Sequence, residues 1–248
     1  MSGQQRTTTA EQDRRVIVVT GTSSGLGRAV AGRLVADGYV VVGIARRDVE
    51  EAEVGVGYRH VRADLGRLDA LPALVREVVA EHGAPYGLVN NAAGAVAGVL
   101  PNLTDDQVRH AVELDLLSPL LLTKHLVRPM ISRGVGRIVN VSSIVAESGF
   151  RGLSVYGAAK AGLVGFTRSL ARDVGARGVT VNAVAPGFLD TAMTGTMDDD
   201  TVQRVRNRSP LKRFATVDEV GAAVAYLLSD GAAGVTGTVL TVDAGSTA

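Results

Sequence analysis

Short apolar runs separated by longer stretches of helical period constrain this chain more than any other feature. A strand with one wet face alternates apolar and polar residues; Val16–Val19 and Val40–Ala45 do not, so burial on both faces is expected. Tyr58–Arg62, Leu88–Asn90, Ile138–Val141, Val179–Ala183 and Thr238–Val242 complete the set of expected strands. Between them, Arg28–Ala36, Leu71–Glu81, Thr104–Arg133, Val155–Val174 and Val217–Leu228 read as helices. Thr104 and Thr216 stand where N-caps belong, and Asp105 and Asp106 suit a first turn.

Strands and helices in alternation predict one doubly wound parallel sheet, a Rossmann fold, over residues 15–248, preceded by a flexible tail over 1–14. The chain's 248 residues suffice for one large α/β domain. With 26 basic and 25 acidic residues spread along the chain, charge gives no case for nucleic acid or a membrane surface. No run approaches the roughly 18 apolar residues of a membrane helix, and residues 1–14 lack the apolar segment of a signal peptide. A cytoplasmic protein is the expectation. The absence of cysteine excludes thiolate catalysis and cysteine-based zinc sites, and the four histidines show no ligand spacing.

After the first strand, Thr20-Gly21-Thr22-Ser23-Ser24-Gly25-Leu26-Gly27 runs straight into a helix. Gly21 allows a tight turn, Gly25 lets backbone approach a pyrophosphate, and Gly27 lets the helix close on the sheet. The helix N-terminus adds unpaired N–H groups for the anion. The same residues spell Gly-x-Ser-x-Gly, with Ser23 in a nucleophile's place, so a serine hydrolase is the rival. That chemistry needs a histidine late in the chain, and none follows His125.

The end of the second strand discriminates between nucleotides. An acid there would bind a ribose 2′-hydroxyl and repel a 2′-phosphate; this chain has Ala45, then Arg46 and Arg47. NADPH is therefore expected ahead of NADH, with Arg46 the first candidate for the phosphate. Asp48 could pair with either arginine. Asp64, followed by Leu65, is placed to meet the adenine or equally to cap the next turn.

Ser143 ends the fifth strand; Tyr156 follows 13 residues later and Lys160 four beyond that. On a helix, positions i and i+4 share a face. An ammonium beside a phenol lowers its pKa towards the working range, so Tyr156 could protonate an oxygen that Ser143 holds.

With these motifs in order, the chain resembles the short-chain dehydrogenase/reductases from about residue 15 onwards, most closely the 3-oxoacyl-(acyl-carrier-protein) reductase-like members. Thr20–Gly27 matches the cofactor loop, Asn90-Asn91-Ala92 with Gly94 the element after the fourth strand, and Ser143, Tyr156 and Lys160 the catalytic trio. Pro186-Gly187 with Thr191 matches the segment that meets the nicotinamide, and Gly237–Gly245 with Asp243 the last strand. The resemblance implies hydride transfer from NADPH to a ketone, a 3-oxoacyl thioester on acyl carrier protein or CoA, or a polyketide-like ketone. It also implies a homotetramer formed through the helices of Asp115 and Tyr156. Arg177 and Arg133 lie near positions where such reductases meet an acidic carrier.

The family's fourth catalytic residue is usually asparagine; here Asp115 aligns with it, 28 residues before Ser143. An ionised Asp115 near Lys160 would raise the Tyr156 pKa. Ser24 stands where an arginine is often found, and Asp48–Gly57 leaves room for only a curtailed helix. The substrate is expected among Ala95–Leu100, Ile144–Val155 and Phe188–Phe214, in a mainly apolar pocket, with Thr194–Arg213 as a lid. A catalytically silent NADP-sensing protein on the same fold is the alternative, Asp115 being its best support.

Overall fold

The computed structural model describes residues 15–94, 96–189, 203 and 206–248. The expected tail over 1–14 lies outside them.

Seven parallel strands form one sheet: β1 (Val16–Thr20), β2 (Val40–Ala45), β3 (Tyr58–Arg62), β4 (Gly87–Asn90), β5 (Gly136–Val141), β6 (Val179–Pro186) and β7 (Val239–Val242), in the order β3-β2-β1-β4-β5-β6-β7. Chain order reverses between β1 and β4, and the C-terminal ends of strands at such a switch point are where open α/β sheets take ligands. Helices cover both faces: α1 (Gly25–Ala36), α2 (Glu51–Val54), α3 (Leu71–His82), α4 (Asp105–Val112), α5 (Ser118–Arg133), α6 (Val145–Ser148), α7 (Ser154–Val174) and α8 (Val217–Leu228).

The missing alternation now has its cause. Ile17 and Val19 of β1 pack with Val30 and Leu34 of α1 and Val220 and Val224 of α8, while Val18 packs with Leu71, Leu74, Leu122 and Leu126 of α3 and α5 on the other face. The strands at the centre of the sheet therefore meet an apolar layer on each face, while the edge strands β3 and β7 are partly exposed; each fully buried Val or Leu contributes roughly 1.5–3 kcal/mol.

Boundaries differ from expectation where motif residues also take regular structure. Helix α1 begins at Gly25, inside the loop, and β6 runs on to Pro186. Thr104 and Thr216 both close capping boxes, with Gln107 and Glu219. The connection between β2 and β3 is curtailed to four helical residues in α2.

The long helical stretch over Thr104–Arg133 is interrupted by a π turn, Glu113–Leu117. Pro119 has no N–H to give the Asp115 carbonyl four residues earlier, so the α-helical bond at that carbonyl cannot form. The widened turn sets Asp115 inward, fully buried.

Beneath the strand ends runs a buried polar seam. Asn90 donates to Thr123 Oγ1 (2.9 Å) and Asn140 Oδ1 (2.8 Å), and Asn140 donates to Thr167 Oγ1 (2.9 Å). It ties β4 and β5 to α5 and α7, the elements that carry Asp115's neighbours and Tyr156. Among the described residues, no helix is long and apolar enough to cross a membrane.

Candidate active site

Gly21 donates its N–H to the Ile44 carbonyl (2.7 Å), so the first loop turns across the end of β2. Thr20 Oγ1 accepts from the N–H groups of Asn91 and Ala92 (2.9 Å each), and Asn91 Nδ2 donates to the Thr20 carbonyl (2.8 Å). Asn91 and Ala92 thus brace the loop from the β4 side. A Cβ on Gly27 would overlap the Gly21 carbonyl oxygen, so that position admits only glycine without backbone movement. The result is a cradle of bare backbone running over Ser23, Ser24, Gly25 and Leu26 into the N-terminus of α1, which fits a pyrophosphate.

Arg47, rather than Arg46, reaches this cradle. Its guanidinium donates to Ser23 Oγ (3.2 Å) and Ser24 Oγ (2.8 Å). Arg46 is exposed beside it. The expectation that Asp48 pairs with either arginine is corrected: Asp48 pairs with Arg62 across to β3 (3.0 Å), which leaves both arginines to the loop. Asp64 caps its own turn, accepting from the Gly66 N–H (3.0 Å), and Leu65 beside it is buried.

Ser143, Tyr156, Lys160 and Asp115 converge at the C-terminal end of β5. Ser143 is buried; its hydroxyl accepts from the Val145 N–H (3.2 Å) at the start of α6 and bonds the Tyr156 hydroxyl of α7. Lys160 is 2% exposed, donates to the Val141 carbonyl (2.9 Å), and sits 5.5 Å from the centre of the Tyr156 ring. Ser142 Oγ bonds the Lys160 carbonyl (3.0 Å), fixing this turn of α7 to β5. Asp115 Oδ1 accepts from the Gly94 N–H (2.7 Å), while Oδ2 is buried with no hydrogen-bond partner among the described residues.

One expectation about these groups is corrected. The Tyr156 pKa is raised on balance, not lowered: burial and then the Asp115 carboxylate push the phenol up to about 12, against an opposing pull from the Ser143 hydroxyl. The ammonium is committed to the Val141 carbonyl and is itself weakened: burial lowers the Lys160 pKa, with Asp115 opposing. Burial raises the Asp115 carboxyl above its ordinary value, with Lys160 and then the Gly94 N–H opposing. Tyr156 is therefore a phenol, a proton donor, throughout the neutral range.

Beyond β6, the Pro186 carbonyl accepts from the Ile144 N–H (3.1 Å), and Gly187 donates to the Val242 carbonyl (3.0 Å). Gly187 lies flat on Asp243, whose carboxylate takes the N–H groups of Gly245 and Thr247 (2.8 Å each). Thr191, Ala95 and most of the expected lid lie outside the described residues. The hydrolase rival finds no support: Ser23 faces Arg47, and His60 is bonded to the Tyr58 hydroxyl (3.3 Å). Among the described residues no group of three His, Cys, Asp or Glu could hold a metal.

Sequence reasoning missed the Val141 carbonyl as the lysine's acceptor, the Gly94 bond to Asp115, and the meeting of Phe150, Phe188 and Phe214. Pro119 was a visible signal for the π turn; nothing local announces the three rings.

A glycine cradle at the first crossover, beside a buried Ser, Tyr and Lys at the strand ends, defines a dinucleotide-binding oxidoreductase. The chain belongs to the short-chain dehydrogenase/reductase family: the family model described as enoyl-(acyl carrier protein) reductase matches residues 21–247. It is 37% identical over 235 residues to the 3-oxoacyl-(acyl-carrier-protein) reductase FabG of Salmonella typhimurium, covering 93% of this chain and 96% of that one. The nodulation protein G of Rhizobium sp. (strain N33) is 38% identical over 236 residues, with the same coverage. A point variant of actinorhodin polyketide ketoreductase, solved with NADPH, superposes with a TM-score of 0.89 at 34% identity, over 95% of this chain and 98% of that one.

Proposed function

We propose that this protein reduces a ketone to a secondary alcohol with NADPH, and that Tyr156 supplies the proton. The observation that carries the proposal is the convergence of Ser143, Tyr156 and Lys160 beside the glycine cradle. NADPH, when bound, supplies the hydride. Ser143 and Tyr156 hold the carbonyl oxygen, the protonated phenol gives it a proton as negative charge builds there, and buried Lys160 offers that charge a cation nearby. Pro186 and Gly187 edge the nicotinamide side.

The relatives' names support a 3-oxoacyl ketone carried on acyl carrier protein, or a polyketide-like ketone; CoA would present the same kind of thioester, and a cytoplasmic setting suits such a substrate. Arg133 is tied to the Ala84 carbonyl (2.7 Å), which leaves Arg177 the freer of the two candidate carrier contacts. Half-exposed Val112 and Leu117, on the Asp115 side, support association into a homotetramer. The test is NADPH oxidation with a panel of ketones, including a 3-oxoacyl thioester, matched to alcohol formed. Tight NADPH binding without turnover would favour the silent sensor instead.

Arg47 above Ser23 and Ser24 is the reason for preferring NADPH over NADH, and it moves the main phosphate contact from Arg46 to Arg47. A charge-assisted bond to phosphate is worth about 1.5–3 kcal/mol, so Arg47→Ala is expected to raise the NADPH KM roughly 10- to 100-fold and to leave that for NADH nearly unchanged. An unaltered ratio of NADPH to NADH efficiency would remove Arg47 from the phosphate site.

Asp115 gives a pH prediction. Reduction needs Tyr156 protonated, so the rate holds below its pKa and falls as pH rises through it. The Asp115 carboxylate raises that pKa; Asp115→Asn therefore moves the alkaline limb of kcat/KM to lower pH. A limb that stays in place would mean that the carboxylate does not act on the phenol.

A further inference from the structure

Phe150, Phe188 and Phe214 form an aromatic group of their own. Phe150 and Phe188 meet edge to face with ring centres 5.2 Å apart, and Phe188 lies 6.1 Å from Phe214 at a 35° tilt. The Arg206 guanidinium sits 5.2 Å from the centre of the Phe214 ring. Only four phenylalanines occur in the chain, so three of them gather here. None belongs to either apolar layer of the sheet or packs against those layers. Each remains half-buried, whereas rings that merely fill a core are buried within it.

Their position ties them to the reacting groups. Phe150 lies on the connection from β5 to α7, between Ser143 and Tyr156 in the chain. Phe188 leaves β6 two residues after Pro186, whose carbonyl holds the Ile144 N–H next to Ser143. The Phe150–Phe188 contact thus bridges the two connections that leave adjacent strands on the edge where Ser143 sits. Phe214 is held from the far side, since Ser209 Oγ bonds the Ala244 carbonyl and Leu189 bridges to Ala215.

We infer that these three rings form the wall of the substrate cleft that recognises the body of the ketone, and that they select a carbonyl joined to a flat ring over an open-chain one. The inference rests on the reading that carbonyl reduction occurs at Ser143 and Tyr156. Edge-to-face and tilted rings leave π faces and edges at mixed angles, and a flat ring gains offset-stacked or edge contacts there beyond the area it buries. An open acyl chain gains burial alone and loses rotamer freedom on being ordered. Arg206 over Phe214 holds that ring in place by attraction to its face.

The experiment compares kcat/KM for α-tetralone with that for the N-acetylcysteamine thioester of acetoacetate, NADPH saturating, in wild type and in Phe188→Leu and Phe214→Leu. The wild type is expected to favour the ring ketone, and each leucine variant to reduce the ring-to-chain ratio roughly tenfold, largely through KM. The ratio cancels any general loss of active protein, and thermal melting reports variants that fold poorly. A wild type that prefers the open chain overturns the inference whatever the variants do. So does a ratio that stays within about twofold in two folded variants. Reduction of neither ketone would instead strike at the proposed function itself.

Discussion

Tyr156→Phe is expected to lower kcat for ketone reduction roughly a hundred- to ten-thousand-fold, the range typical of losing a positioned general acid, while NADPH still binds. The two changes separate because the hydroxyl is at the strand ends, with Ser143 and Lys160, whereas the cradle and Arg47 lie over β1 and β2. The ring itself stays, so packing along α7 is retained and no cavity is opened. Ser143 would still hold the oxygen, but its hydroxyl is a poor acid. Single-turnover kinetics together with NADPH fluorescence titration decides the matter. A variant that retains a tenth of wild-type kcat would show that the proton comes from elsewhere.

Gly27→Ala is the second large effect, and its cause is purely steric. The added methyl carbon would lie 2.7 Å from the Gly21 carbonyl carbon and 2.5 Å from Asn91 Nδ2, with the Gly21 carbonyl oxygen closer still. Two of those three atoms are backbone and cannot rotate away, so α1 must back off from the loop. Overpacking typically costs about 1–3 kcal/mol, and a backbone clash belongs at the upper end. For a chain of this size that corresponds to a Tm about 6–12 °C lower. NADPH affinity should fall with it, because the same movement opens the cradle and separates Asn91 from Thr20. Melting and NADPH titration on one sample test both; unchanged values would mean that the helix approaches the loop less closely than described.

Much of the fold was legible because its signals are local. The unalternating strands reported burial on two faces, and Thr104 and Thr216 marked the starts of their helices. The extent of β6 was not legible, since Pro186 reads as a stop although its pairing with β7 runs on as far as Pro186 opposite Val242. At the site, the spacing of Ser143, Tyr156 and Lys160 announced a shared location. Direction was another matter. Which way the Lys160 ammonium points depends on the Val141 carbonyl, a neighbour brought close only by the packing of α7 on β5. Likewise Asp48 and Arg62 find each other across two strands, a distance no local pattern encodes.

The polar seam under the strand ends bears on how such a protein can change over generations. Asn90, Thr123, Asn140 and Thr167 are all buried, and the amides of Asn90 and Asn140 join them, Asn90 donating to Thr123 and Asn140, and Asn140 to Thr167. Replacing any one of them strands a partner at about 1–3 kcal/mol, although exchanging the whole set for apolar residues of equal shape could be nearly neutral. An all-apolar layer is thus separated from this one by intermediates less stable than either. Drift by single substitutions is held back here more firmly than at the surrounding valines and leucines, where one apolar side chain can stand in for another.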